Sequence, residues 1–372
     1  MNAIPNALAN VCDIIPYVPG KPIEYLKREL NLPKNLAIIK LASNENPLGI
    51  PPKAKSALRA SISDIDRYPD GNAYKLKHAI VTKFKKYKIN LDQLVIGNGS
   101  NDVLELAARA FLNHKQKAVF SQYSFAVYPL VCETCNAQKI EVKVKANFEQ
   151  DLEKIALTAT KKKVKLVFLA NPNNPTGVYA SLDRVYDFIK TIPANCVIIL
   201  DQAYSEYLSE DQDKSLNWLA EFPNLIITRS FSKIYGLSGL RVGYAITHPQ
   251  IANWMNRIRQ PFNVNHLAMK AATAALSDKN FVLKSKKNNT QQLKYLDAEL
   301  AKLSLPTIPS YANFISFKVK NANKIYLELL KSGIIIRPLA SYQLKDWLRV
   351  TVGSPSQNKR FITTLSKILK NV

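Results

Sequence analysis

The sequence predicts an α/β protein: a mostly parallel sheet with helices on both faces, followed by a smaller α+β unit. Three observations carry this. Short runs rich in Val, Ile and Leu recur through the first two thirds of the chain. Longer stretches with helical spacing separate several of them. The pattern changes near residue 265. Apolar runs that alternate with helices are strands buried on both faces, which is the signature of a parallel sheet. At 372 residues, 47% hydrophobic and 22% charged, the chain has enough apolar mass for a sizeable core. Disordered, collagen-like and low-complexity classes are excluded, because 11 Gly and 20 Pro are few and not periodic.

In chain order, residues 1–45 read as an irregular arm, 46–264 as the large unit and 265–372 as the small one. LVIGN (94–98) is a strand, and 102–112 places Val103, Leu106, Ala107 and Ala110 at helical spacing. KAVFSQ (117–122) is a strand, and KIEVKVK (139–145) alternates as a half-exposed strand should. KLVFLANP (165–172), CVIILDQAY (196–204), NLIITRSFS (224–232) and GYAIT (243–247) are further strands, with a helix over 181–191. A long helix spans roughly 278–303, since no Gly or Pro interrupts it. NFISFKV (313–319), a helix near 322–332, IIIRP (334–338), WLRVTVG (347–353) and a final helix complete the small unit.

Charge and cysteine content narrow the class. Fifty-two Lys and Arg against 28 Asp and Glu give a net charge of +24. Such a balance can mark a nucleic-acid or anionic-membrane partner. Here the lysines are scattered, and no nucleic-acid-binding signature accompanies them, so a solvated lysine-rich surface is the reading. Four cysteines are too few for a secreted disulfide framework, and the single CxxC at Cys132 and Cys135 lacks further zinc ligands. No metal site is expected. No basic, apolar leader and no run of about 18 apolar residues is present, so a cytoplasmic protein without membrane spans is expected.

The polar residues that carry chemistry follow strand ends, where ligands of open α/β sheets bind. GNGSND (97–102) opens a helix, whose free N–H groups favour a phosphate. NPNNPTG (171–177) follows a second strand. Asp201 ends the run CVIIL, where a buried acid requires a cationic or hydrogen-bonded partner. Tyr204 lies three residues on. SFSKIYGLSGLRVGY (230–244) places Lys233 past a strand end and Arg241 eight residues later. A lysine is the natural nucleophile for an aldehyde cofactor, and an arginine fork suits a phosphate. Any one of these pieces is weak. Four of them, in this order at four strand ends, are not.

With these residues the sequence resembles the fold-type-I pyridoxal-phosphate aminotransferases, over nearly its whole length. PYVPGKPIEYLKRELNLP (16–33), KLASNENPLG (40–49), RYPDG (67–71) and RPLASYQLKDWLRVTVG (337–353) resemble the branch acting on histidinol phosphate. The resemblance implies pyridoxal 5'-phosphate held by Lys233 as a Schiff base, with Asp201 on its pyridine nitrogen. It implies Asn174 and Tyr204 on the ring oxygen and Tyr123 stacked on the ring. It assigns the phosphate to Ser100, Asn101, Ser230, Ser232 and Arg241. Tyr68 is implied to reach the neighbouring active site of a homodimer. Histidinol phosphate and 2-oxoglutarate or glutamate are the implied substrates, their anionic ends received by Arg337 and Arg349 while Tyr17 closes over them. Both arginines sit in apolar strands, where a guanidinium needs an anion; an internal salt bridge is the alternative. Asn101-Asp102 replaces the family's usual Asp-Glu, and DQAY the commoner DEAY, with little chemical consequence expected. His78, His114, His248 and His266 are read as structural. The competing activities are an aromatic amino acid aminotransferase, a phosphorylated-amino-acid decarboxylase on the same scaffold and, from another class, a nucleic-acid-binding regulator.

Overall fold

In this computed structural model, residues 7–16, 23–29, 33, 35–209 and 211–371 are described. The strands in chain order are β1 (Ile39–Lys40), β2 (Leu94–Gly97), β3 (Lys117–Ser121), β4 (Gln138–Val142), β5 (Leu166–Ala170), β6 (Val197–Asp201), β7 (Leu225–Ser230) and β8 (Gly243–Thr247). They continue with β9 (Thr307–Ile308), β10 (Phe314–Lys318), β11 (Ile334–Ile335), β12 (Arg337–Pro338) and β13 (Trp347–Thr351). Seven of them form the central sheet, in the order β2-β8-β7-β6-β5-β3-β4. The block β4-β3-β5-β6-β7 is parallel throughout, whereas β8 runs antiparallel to both its neighbours. The reversed strand β8 therefore lies between the parallel block and β2, which runs in the block's direction, so GYAIT is not part of a parallel block.

Each apolar run divides its side chains between two cores, because successive side chains point to opposite faces. Val167, Leu169, Ile198, Leu200 and Ile227 face one core, which helices Pro52–Ser61, Tyr74–Lys83, Leu152–Lys161, Leu182–Thr191 and His266–Leu276 complete. Leu166, Phe168, Val197, Ile199 and Ile226 face the other, with helices Ser100–Phe111, Val127–Thr134 and Pro249–Ile258. Of these helices, Ser100–Phe111 and Leu182–Thr191 match spans named from the sequence, and the other six do not. Strand β4 is shorter than the alternation suggested and is largely exposed, as befits the sheet edge.

A third core underlies the antiparallel sheet β12-β13-β10-β9. The run IIIRP splits at Ile336: β11 pairs in parallel with β1, and β12 pairs with β13. Through that first pairing the segment before residue 45 joins this core, with Leu41 buried in it. The backbone N–H of Thr351 donates to the Leu41 carbonyl at 2.8 Å. The helix Lys279–Lys302 runs unbroken, as the absence of Gly and Pro requires. It buries Phe281, Ser285 and Asn289 near its start and Leu296 and Leu300 near its end. No described helix is long and apolar enough to cross a membrane.

Candidate active site

Beyond the carboxyl ends of β5, β6 and β7 lies a cavity of about 260 Å³. Sheet order reverses between β3 and β5, since β4 and β5 lie on opposite sides of β3. Ligands of doubly wound sheets bind at such a switch point. The lining residues include Ser100, Asn101, Asn174, Asp201, Tyr204, Ser230, Ser232, Lys233, Arg241, Arg337 and Arg349. The structure thus brings together eleven of the residues that the sequence singled out.

The floor is Asp201, 5% exposed at the end of β6. Tyr128 donates its hydroxyl to Oδ2 at 2.9 Å, and Thr228 donates to Oδ1 at 3.0 Å. The Ala203 N–H reaches Oδ1 at 3.3 Å. Burial pushes the carboxyl above its usual range, and the hydrogen bonds and Lys233 pull it back. Thr228 is the Cα partner of Asp201 across β6 and β7, so strand register fixes that contact. Neither Tyr128 nor Thr228 was legible as a site residue.

Lys233 follows β7 and donates to the Ser43 carbonyl at 3.3 Å, with Nζ 5.6 Å from the centre of the Tyr204 ring. Its ammonium is drawn down to about 8, by burial first and then by Arg349 and Arg241; Glu45 and Asp201 act in the opposite direction. Tyr204 accepts from Asn44 Nδ2 at 2.9 Å, and burial pushes its hydroxyl up to about 12.

One end of the cavity is built for an anion. Ser100 and Asn101 begin the helix Ser100–Phe111, after Gly99 at a φ of +86°. A Cβ on Gly99 would lie 2.4 Å from Arg241 Nη2, and one on Gly243 would lie 2.4 Å from the Ser100 nitrogen. Only glycine allows these approaches. Arg241 donates to Ser232 Oγ at 3.3 Å and to the Ser238 carbonyl at 3.0 Å. The helix start, three serines and an arginine make a phosphate cradle. Asp102, at the position of departure from the family, accepts from the Asn98 N–H at 2.8 Å and from Asn263 Nδ2 at 2.7 Å. It serves the turn and leaves the cradle cationic.

At the other end, Arg337 and Arg349 are directly paired Cα partners across β12 and β13, and both are buried. Arg349 donates to Asn174 Oδ1 and to the Ala42 carbonyl.

Two expected residues lie elsewhere, and a third is not described. Tyr123 is not among the lining residues. Its left-handed backbone, φ 55°, sets it against Phe148, with ring centres 5.9 Å apart, and Phe125 lines the cavity instead. Tyr68 is 84% exposed and stacks on Phe262, outside this chain's own cavity. Tyr17 falls outside the described residues. The four cysteines are free, and Cys132 and Cys196 are buried with thiols pushed up to about 12 by burial. Among the described residues no cluster of His, Cys, Asp and Glu could hold a metal ion.

The residues fit pyridoxal phosphate: an enclosed lysine, a buried acid and a glycine-walled anion cradle share one cavity. Comparison with known proteins agrees. The sequence profile of "Aminotransferase class I and II" matches residues 37–365. A histidinol-phosphate aminotransferase of Methylobacillus flagellatus is 50% identical over 98% of this chain and 97% of its own length. Histidinol-phosphate aminotransferase 2 of Pasteurella multocida is 46% identical over 95% of each chain. The crystal structure of histidinol-phosphate aminotransferase from Sinorhizobium meliloti in complex with pyridoxal-5'-phosphate superposes with a TM-score of 0.90. It covers 100% of this chain and 99% of that one, at 24% identity.

Proposed function

The chain belongs to the class I and II aminotransferases, and we propose that it transfers an amino group between histidinol phosphate and 2-oxoglutarate. It is a pyridoxal-phosphate-dependent enzyme of histidine biosynthesis. The observation that carries the substrate assignment is the Arg337–Arg349 pair in the same cavity as Lys233. Two adjoining guanidinium groups suit a phosphate in one half-reaction and a carboxylate in the other.

When bound, pyridoxal phosphate supplies an aldehyde carbon for amines and an electron-poor ring that stabilises a carbanion at the substrate. The cradle of Ser100, Asn101, Ser230, Ser232 and Arg241 holds its phosphate. Asp201, oriented by Tyr128 and Thr228, would face its ring nitrogen. Asn174 and Tyr204 would donate to its ring oxygen, and Phe125 would supply the stacking face. Lys233 Nζ would anchor it and, when free, would be the base placed to take a proton from the amine-bearing carbon of a substrate. A nitrogen with a proton affinity near 8 suits that exchange at neutral pH.

Two copies pair, with Tyr68 extending into the neighbouring cavity. Its 84% exposure, beside exposed Ile62, Ile65, Tyr74 and Phe262, supports this. The enzyme works in the cytoplasm. An absorbance titration of the holoenzyme tests the central reading. Histidinol phosphate should bleach the yellow cofactor band, and 2-oxoglutarate should restore it, in ping-pong fashion. A thousandfold preference for phenylalanine over histidinol phosphate, or carbon dioxide release without a keto acid, would overturn it.

A further inference from the structure

The described lining of the cavity holds four cationic residues, Lys233, Arg241, Arg337 and Arg349, and two acids, Asp201 and Glu45. Five of these six have work in the mechanism above. Glu45 has none. It stands on a short segment that is pinned on both sides. Asn44, at φ 57° and 1% exposed, takes a hydrogen bond from Asn313 Nδ2 on its carbonyl and donates through Nδ2 to Tyr204. Its own N–H donates to Thr351 Oγ1 at 2.9 Å. Asn46, also buried, donates to the Ile234 carbonyl at 2.7 Å and to Ser285 Oγ at 2.9 Å. Glu45 is thus a half-exposed carboxylate on a backbone as rigid as the cavity wall.

Lys40 pairs with Glu45 Oε1 at 2.9 Å, and the two side chains are 25% and 40% exposed. An exposed pair of this kind contributes little to stability, so it does not account for the pinned backbone. Lys40 takes one oxygen only; Oε2 has no hydrogen-bond partner among the described residues. The acid is also close enough to act electrostatically on Lys233.

The reacting amine lies near Lys233 and the substrate phosphate near the Arg337–Arg349 pair. That leaves the third substituent of the amine-bearing carbon, an imidazole ring carried on a methylene, to be recognised. Imidazole carries an N–H in both protonation states and becomes cationic near pH 6.5. Every other charged lining residue except Asp201, which is committed to the floor, is positive and would repel it. We propose that Glu45 is a specificity-determining residue that accepts a hydrogen bond from the ring N–H of the amine substrate. It thereby selects heteroaromatic N–H rings over plain aromatic ones. The inference rests on the reading of the reaction given above.

The test follows the absorbance of the holoenzyme through each half-reaction. Histidinol phosphate is compared with phenylalaninol phosphate, which keeps the amine and phosphate but lacks the ring N–H. Glu45→Gln and Glu45→Ala should raise the KM for histidinol phosphate roughly tenfold, the loss of one charge-assisted hydrogen bond. The ratio between the two phosphates should fall by the same factor, with kcat moving far less than KM. The loss should be greatest below pH 6.5, where the ring is charged. Lys40→Met should preserve the preference. A wild-type preference that survives both Glu45 variants overturns the proposal. So does a fall in kcat of equal size for both phosphates, which would mean that Glu45 acts through Lys233. If the wild type fails to consume histidinol phosphate, the proposed reaction itself falls, and Glu45 with it. The two failures are therefore distinct.

Discussion

At the tips of β6 and β7, neighbouring residues face opposite sides of the sheet and meet opposite electrostatic treatment. Asp201 lines the cavity and Thr228 shares its face of the sheet; Gln202 and Arg229, next along the chain, point away. On the far side Arg229 is 1% exposed, yet its charge is answered within the chain. Its Nε and Nη2 donate to Gln202 Oε1 at 3.0 and 2.7 Å, and Nη1 donates to Asp213 Oδ1 at 2.7 Å. Half-buried Glu206, pushed above the usual carboxylate range by desolvation, adds a further acid within reach of Arg229. On the cavity side Asp201 receives hydrogen bonds from a phenol, an alcohol and a backbone N–H, all neutral. Its carboxyl is raised, and Lys233 beside it is lowered. A structural charge is closed by its own fold, whereas a functional one is oriented by neutral groups and kept short of counter-charge.

The largest effect that tests this contrast is chemical. Lys233→Ala should reduce turnover by at least a factor of about 10³, the scale of losing a positioned base and its covalent role together. Borohydride reduction of the wild-type holoenzyme should label Lys233 alone, by peptide mass. A label elsewhere would remove the cavity side from the comparison.

Next comes the far side. Arg229→Met leaves Asp213, whose side chain is 30% exposed, and half-buried Glu206 without their cation, so the loss should fall short of a fully buried pair's and reach about 2–3 kcal/mol. Urea unfolding of the apoprotein should show that loss. A change under about 1 kcal/mol would mean that water reaches the cluster and that its closure is not what holds Arg229.

Lys233→Ala should do the reverse to stability. The lysine's folded-state value is about 8 against an ordinary 10.5. Between those values the unfolded chain binds the proton and the folded chain does not, so wild-type stability rises with pH across that window. Below pH 8 the full penalty is present. Apo Lys233→Ala should therefore be more stable than apo wild type at pH 7, by on the order of 2 kcal/mol after allowing for solvent at the cavity mouth. The gap should close as pH rises from 8 to 10.5. A gap independent of pH would show that lost packing, and not charge, separates the two proteins.

Tyr128→Phe removes one neutral donor from Asp201. The carboxyl should rise further, and cofactor affinity should fall by roughly tenfold, as expected for one hydrogen bond to a charged group. Dialysis of the holoenzyme against buffer, followed by its absorbance, measures this.

How much of this was legible follows from where each signal resides. The strands were, because residues buried on both faces must be continuously apolar. Asp201 and Lys233 were, because an acid and a lysine at strand ends break that rule. Thr228 was not: its role depends on pairing with Asp201, and register between β6 and β7 is a property of the sheet, not of either strand. The aromatic residue that lines the cavity, Phe125, stands two positions from Tyr123, the one the resemblance singled out. Both are aromatic, and Tyr123 has a left-handed backbone at a non-glycine residue, which sequence rarely signals. Arg229 is instructive in another way. The argument that drew notice to Arg337 and Arg349, a guanidinium within an apolar strand, applies equally to it. One signal thus has two outcomes, a lining pair and a closed structural cluster, and only the fold separates them.

The smallest predicted effect is the one that best isolates the two faces. Gln202→Glu is nearly isosteric and exchanges a neutral acceptor for a carboxylate one residue from Asp201. If backbone proximity governed the site, the added charge would raise Asp201 further and shift the pH at which the bound cofactor's absorbance changes. The side chain, however, is fully buried on the opposite face, with Oε1 against Arg229 and Nε2 against Ser215 Oγ. There the new carboxylate gains a stronger bond to the guanidinium, loses the donor to Ser215, and meets Asp213 and Glu206 as like charges. These terms oppose one another at about 1–3 kcal/mol each. Apo stability should therefore move by under about 1 kcal/mol, and the titration of the cofactor band by less than about half a pH unit, since Arg229 screens the added charge. A shift of a full unit would show that the sheet does not insulate its faces, and that the closed cluster behind Asp201 tunes the chemistry in front of it.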